Sequence, residues 1–338
     1  MANVTIKDVA KKAGVSVATV SAVVNEHKKK VSLSPKSRKI VMEAIKSLNY
    51  SVNKQASILR TGRSYTIGVI ASDLAQPFTA ESISLIEQEA SIRNYSFLLS
   101  DIQNNLKREW RFLDMFKQKQ VDGFLFIGAS DECDNSAIMA MVNCGIPVVL
   151  TERSVEGHNV PCVLVDNVKG GYLAVSHLIS KGHKKICYIA GPESNLITHE
   201  RFSGYRQALL EHGLEKNEFV ESAHGMGLKH GYEAAQRILT REQRPTAIFA
   251  FNDTLALGAK KALRDANISV PEDVALVGFD DIPIAEYSGV PLTTVRQPRV
   301  TLCHIGMKML LDILENKYPK GYYAKIVLQP ELVIRESS

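Results

Sequence analysis

Over the first fifty residues, apolar positions recur at helical spacing in three short runs. Ile6, Val9, Ala10 and Ala13 share one face of the first run, and Val20, Val23 and Val24 one face of the second. The third buries Val41, Ala44, Ile45 and Leu48. Each run carries a start signal. Thr5 can cap the first, with Asp8 returning the bond three residues on. Ser16 caps the second, and Ser34-Pro35 supplies a cap and a first-turn proline for the third. Gly14 can take the positive φ of a tight turn between the first two. Three short helices with such a turn match helix-turn-helix geometry.

From Tyr65 the pattern changes to short apolar strands separated by amphipathic segments such as 79–93, 107–119 and 168–181. The strands read "YTIGVIA", "YSFLLSD", "GFLFIG", "PVVLT", "CVLVD", "KICYIAG", "AIFAFND" and "VALVGFDD". Continuous apolar strands between helices predict parallel sheets covered on both faces. Eight such units exceed one small sheet and predict two doubly wound lobes, with a break near 157–162 and a return crossing near 289–298. The expected organisation is a head over 1–50, a linker over 51–63 and a core over 64–338. Lobe 1 is expected to take 64–162 and 293–325, and lobe 2 163–292 and 326–338.

Charge sharpens this division. Residues 1–64 hold 13 Lys/Arg against 3 Asp/Glu, and the remaining 274 hold 28 against 33. A head of +10 on a body of −5 suits a module that meets a polyanion. On the second helix Val17, Ala18 and Ala22 point away from the inner face and are short enough for a major groove. Thr5, Ser16, Thr19, Ser21 and Asn25 can hold phosphates, helped by Lys28, Lys29 and Lys30. Residue by residue, a solvated helical bundle with a lysine loop is the better account of these side chains; the order of cap, turn, cap and basic surplus reverses that preference in favour of DNA.

The head closely resembles that of the lactose-repressor (LacI) family of bacterial transcription regulators, through "TIKDVAKKAGVS", "ATVS", "VVN" and "VMEAIKSLNY". The match continues into "NKQASILRTGRSYTIGVI", which resembles the family's hinge and first core strand. Resemblance implies that the hinge, 53–62 with Ala56, Ile58 and Leu59, folds as a helix only on the operator beside its dimer mate. It also implies that Leu59 wedges into a minor-groove step, an exchange of unstacking for a kinked duplex. Ala22 departs from the larger polar or basic side chain common in relatives, which leaves the operator sequence open.

The rest of the chain resembles the family's core, similar to type I periplasmic sugar-binding proteins, through "VDNVKGG", "HLISKGHKKICYIAGP", "ERFSGYRQAL", "FNDTLALGA" and "SVPEDVALVGFDDIP". In open α/β sheets ligands bind at the carboxyl ends of the strands. Asp73, Asp101, Asp166, Asn252-Asp253 and Asp280-Asp281 stand there, with Phe78 after the first strand and Arg201 on a following helix. The family's effector contacts map onto Asp73, Phe78, Asp101, Arg201, Asn252 and Asp280. Carboxylates and amides suit hydroxyl-rich ligands, although Asp and Asn also serve as plain strand-end caps. Met226 stands where several relatives place an aromatic residue, so a stacking platform is expected to be missing.

Enzyme motifs are lacking: there is no G-x-S-x-G, no H-E-x-x-H and no P-loop. "GMGLKHG" has the wrong spacing for a dinucleotide, and His199 reads as a solvated helix-start residue. Five cysteines without a C-x-x-C pair predict neither a disulfide framework nor a metal site, and no cofactor is expected. With no apolar leader and no leucine heptads after "IRESS", the chain is expected to work in the cytoplasm as a homodimer. The expected function is a non-enzymatic, effector-controlled repressor of carbohydrate-use genes on a near-palindromic operator. Two alternatives stay open: a catabolite-control regulator served by a phosphocarrier protein, and a carbohydrate enzyme with a DNA-binding head.

Overall fold

The computed structural model describes residues 4–24, 34–50, 62–103, 105, 108, 110–128, 135–319 and 321–338. The chain divides into two compact units, Met1–Ser64 and Tyr65–Ser338.

In the first unit the helices are α1 (Ile6–Ala13), α2 (Val17–Val24) and α3 (Pro35–Ser47). Their inward faces form one core of Val9, Ala10, Ala13, Val20, Val23, Val41 and Ala44, with Val24, Ile45 and Leu48 packed at its margin. At the start of α1 the Asp8 carboxylate accepts from the backbone N–H of Thr5 at 2.8 Å and from its hydroxyl at 2.7 Å. These bonds hold the carboxyl below its ordinary value. Gly14 sits at φ +63° and closes the turn by donating to Ala10 and Lys11 carbonyls. Ser16 and Ser34 each accept the backbone N–H three residues on, at 3.1 Å.

The second unit holds two six-stranded sheets. Lobe 1 contains β1 (Thr66–Ala71), β2 (Ser96–Asp101), β3 (Phe124–Ile127), β4 (Val148–Thr151), β5 (Cys162–Val165) and β11 (Lys325–Leu328), in the order β11-β5-β4-β3-β1-β2 and parallel throughout. Lobe 2 contains β6 (Ile186–Ala190), β7 (Phe219–Ser222), β8 (Ala247–Ala250), β9 (Ala275–Asp280), β10 (Thr293–Arg296) and β12 (Glu331–Val333). Its order is β12-β10-β9-β8-β6-β7, with β12 alone antiparallel.

The connecting helices are α4 (Pro77–Ile92), α5 (Arg111–Lys117), α6 (Ser136–Asn143), α7 (Asn167–Ser180), α8 (Leu196–Glu211), α9 (Leu228–Leu239), α10 (Asp253–Asp265), α11 (Pro283–Glu286) and α12 (Arg299–Leu314). Helices α7 and α8 pack backbone to backbone: a Cβ on Gly171 would lie 2.2 Å from the Arg201 carbonyl, and one on Gly204 2.0 Å from that of Val168. This contact fixes Arg201 against the carboxyl ends of the lobe 2 strands.

The pairing corrects the expected lobe boundaries. β5 joins lobe 1 by pairing with β4 and β11, so the first crossing follows Val165 rather than Cys162. β10 pairs with β9 and belongs to lobe 2, so 293–296 leaves lobe 1 and the return crossing precedes α12. β11 stays in lobe 1 to Leu328, and only then does the chain return. An apolar run shows that a strand is buried, not which sheet accepts it.

Candidate effector cleft and DNA-recognition head

The best-organised polar cluster of the core lies at the carboxyl ends of the lobe 2 strands. Arg201, on α8, is 2 % exposed. Its Nε donates to Asn167 Oδ1 at 3.0 Å and its Nη1 to the Phe251 carbonyl. Its guanidinium carbon stands 3.5 Å from the ring centroid of Phe279 and 4.6 Å from that of Phe251. Nη2 faces Asp280 Oδ1 at 3.6 Å. Asn167, at the start of α7, also donates to Glu200 Oε2 at 2.9 Å, which orients its oxygen toward Arg201. The result is a buried cation held from several sides at the carboxyl ends of the lobe 2 strands.

Asp280 ends β9 at φ +115°, a backbone region that favours glycine, and Asp281 follows at φ +53°. Four contacts hold this turn. Gln297 Nε2 donates to Asp280 Oδ1 at 2.7 Å, Arg296 and Arg335 clasp Asp281 at 2.6 and 2.7 Å, and the Ile282 N–H donates to buried Asp253 at 2.9 Å. Burial raises the Asp280 carboxyl above its ordinary value, partly offset by Arg201. Burial raises Asp253 further, and Asp280 adds to the effect.

Lobe 1 and the crossing helix α12 meet this cluster. Arg299, first residue of α12, pairs with Glu81 Oε2 at 2.5 Å and lies 5.5 Å from the ring centroid of buried Phe78. Its Nη1 is buried without a hydrogen-bond partner. Glu152, just after β4, faces Asp280, Arg201 and Arg299, and its Oε2 is likewise buried and unpartnered. Burial, and then the facing Asp280, push the Glu152 carboxyl up to about 8.

Of the expected effector residues, the structure brings Arg201, Asp280 and, through Arg299, Phe78 to this cluster. The others hold their own loops. Asp73 accepts from Ala75 N at 2.9 Å and Gln76 Nε2 at 3.1 Å, and Asp101 from Gln103 N at 3.0 Å. Asn252 caps α10 through Leu255 N at 2.8 Å and donates to the Met226 carbonyl at 3.3 Å. Asp166 caps α7 through Lys169 N at 2.8 Å. His199 is exposed and bonded to the Glu193 carbonyl.

Sequence reasoning missed Glu152 and Arg299. Glu152 follows the strand "PVVLT" directly, much as Asp101 ends its own, so the strand-end rule could have found it. Arg299 carries no such signal, since a charged residue after Pro298 reads as ordinary helix-start chemistry.

On the head, α2 exposes Val17 and Ala18, and half exposes Thr19, Ser21 and Ala22. The Ser16 and Thr19 hydroxyls lie 2.9 Å apart. Thr5, beside Asp8, is also exposed. Asn25, Lys28, Lys29, Lys30, Ala56 and Leu59 lie outside the described residues.

A helix-turn-helix head followed by two parallel-sheet lobes that share a buried charged cluster fits a ligand-responsive DNA-binding regulator. Residues 5–53 match the model of the bacterial regulatory proteins of the lacI family, and 64–321 that of the periplasmic binding proteins and sugar binding domain of the LacI family. The chain belongs to the LacI family and is a transcriptional regulator, not an enzyme.

The HTH-type transcriptional repressor PurR of Mannheimia succiniciproducens is 34% identical over 334 residues, covering 98% of each chain. The lac repressor dimer bound to operator and the anti-inducer ONPF superposes with a TM-score of 0.86 at 27% identity, covering 99% of each chain. The complex of the transcriptional regulator CelR with cellobiose superposes at 0.73 with 30% identity, covering 99% of this chain and all of that one. CelR holds cellobiose and the lac repressor ONPF in these structures. Among the described residues no helix is long and apolar enough to cross a membrane, and no group of His, Cys, Asp or Glu is arranged to hold a metal.

Proposed function

We propose that this protein is a cytoplasmic, homodimeric repressor of carbohydrate-use genes. Its effector is a hydroxyl-rich small molecule held by Arg201, Asp280, Phe78, Glu152 and Arg299. The observation that carries this reading is the buried, partly unsatisfied polar cluster: a fixed guanidinium at 2 % exposure, a carboxylate 3.6 Å from it, and two buried polar atoms without partners. Such groups are costly to leave unmatched, and paired ligand hydroxyls supply both donors and acceptors. Cellobiose in CelR and an operator-bound dimer in the lac repressor support the ligand class and the assembly.

Asp73, Asp101 and Asn252 take part only by shaping the rim, since each is bonded to its own loop or helix. On the head, Val17, Ala18 and Ala22 face the bases, and Thr5, Ser16, Thr19 and Ser21 the phosphates. Asn25, Lys28, Lys29, Lys30, Ala56 and Leu59 complete the contact as the family resemblance implies.

Calorimetry of the intact protein against neutral mono- and disaccharides, followed by operator titration with and without the binder, tests the reading. Binding that changes operator affinity supports it. A full panel of sugars without heat or effect on DNA overturns the carbohydrate assignment.

A further inference from the structure

The Arg201–Asp280 cluster occupies the carboxyl ends of the lobe 2 strands, and a separate pocket of about 340 Å³ opens at the amino ends of β6, β7 and β8. Its cations come from three connections: Lys185 just before β6, Lys216 in the turn before β7, and Arg241 and Arg244 between α9 and β8. Phe219 forms part of the wall, with the Arg241 guanidinium carbon 4.7 Å from its ring centroid. The Phe219 backbone is held in place. Its N–H donates to the Tyr205 hydroxyl at 2.9 Å, and that buried hydroxyl donates to the Ile186 carbonyl at 2.9 Å.

Four cations line this pocket against one acid, Glu218, which is already paired with Arg206 at 2.9 Å. Arg241 is shared with Glu221 at 2.6 Å. Lys185, Lys216 and Arg244 are exposed and have no carboxylate partner among the described residues. Their chain neighbours Glu215 and Glu242 lie outside the lining. Like charges gathered around one concavity focus a positive field into it and favour an anion there.

We propose that this pocket binds a phosphate monoester of a small hydroxylated metabolite, at a site separate from the effector cluster. The phosphate oxygens take charge-assisted hydrogen bonds from the two ammonium groups and from the Arg244 fork. The pocket is at the small end of ligand sites, yet roomier than a bare phosphate requires. The organic part lies against the Phe219 ring and the amides of Asn217 and Gln243. Asn217 Nδ2 donates to the Lys184 carbonyl at 2.9 Å, which leaves its Oδ1 to accept a ligand hydroxyl. The assignment does not depend on what the effector is.

Isothermal titration of the full chain in phosphate-free buffer with D-ribose 5-phosphate, sn-glycerol 3-phosphate and inorganic phosphate tests the site. At least one ester should bind, more tightly than inorganic phosphate, and its binding should weaken steeply from about 20 to about 200 mM salt. Lys185→Gln combined with Arg244→Gln should weaken that ester by about tenfold or more. The melting temperature of the ligand-free protein should stay unchanged, because both side chains are exposed and unpaired. Should the double variant nonetheless melt early, Lys216→Gln alone carries the test and should weaken binding several-fold. Ester binding that is the same in these variants as in the parent places the anion elsewhere, for instance beside Arg201 and Arg299, and overturns the pocket. Neither ester binding, or inorganic phosphate binding as tightly as both, overturns the ligand class.

Discussion

Arg201 and Asp280 face each other at 3.6 Å with side chains only 3% and 12% exposed. The guanidinium is fixed on its other edges by Asn167 and the Phe251 carbonyl, and Gln297 holds the carboxylate. The cleft therefore spends little ordering on binding its ligand, because both charges are already placed.

Removing one member leaves the other buried and uncompensated. Arg201→Ala should lower the stability of the core by about 3–5 kcal/mol. It should also abolish the difference between operator affinity with and without effector, a coupling of about 1–3 kcal/mol or roughly 5- to 150-fold. Adding Asp280→Asn, which removes the stranded charge and tolerates positive φ, should recover part of the stability but none of the response. Denaturant titrations and operator binding separate the two losses. A single variant that keeps the full response would move the control site elsewhere.

Most strands legible in the sequence are buried, although β2, an edge strand with Leu98 and Leu99 exposed, was legible as well. β3, β4, β6 and β8 are buried end to end and read as continuous apolar runs. β7, "FVES", and β12 are edge strands whose polar residues hide them, and β10 was legible only as part of a crossing. In the site, Asp73, Asp101 and Asp280 look alike along the chain, each an acid at a strand end. What separates them is whether amides two residues on in the carboxylate's own loop consume it, as they do for Asp73 and Asp101. Of the three, among the described residues only Asp280 has a guanidinium brought up to it, by the close packing of α7 on α8.

A second charged knot ties α12 to α4. Asp312, 3% exposed, takes Arg93 at 2.6 Å, Lys308 at 2.8 Å and Lys317 at 2.9 Å. Burial alone would raise its carboxyl, but these three bonds outweigh it and hold the group well below the ordinary range. A depressed carboxylate contributes stability that is full above its unfolded value and fades as pH falls through the folded one. Asp312→Asn should therefore cost roughly 3 kcal/mol at pH 7. The gap to the parent should shrink steadily as the solution is acidified below pH 4. Thermal melts along that pH series check it; a constant gap would mean that Asp312 acts through shape rather than charge.

The exposed start of α2 makes the last prediction. Val17 is 41% exposed, and Ala18 beside it is also exposed, on a helix whose opposite face packs Val20 and Val23 into the core. Short apolar side chains in that position admit the helix deep into a major groove, where they meet thymine methyls. The basic surplus of the head, 13 cations against 3 acids, acts on phosphates whatever the sequence. The two contributions separate experimentally. Operator affinity should fall with salt at a log–log slope of about −6 to −10 for a dimer. Ala18→Arg should leave that slope similar or slightly steeper but change which bases are selected, because a long guanidinium fork reads guanine edges rather than methyls. Selection from randomised half-sites with both proteins measures this. The same motif from each would remove Ala18 from base readout, and a slope near zero would remove the head from DNA binding altogether.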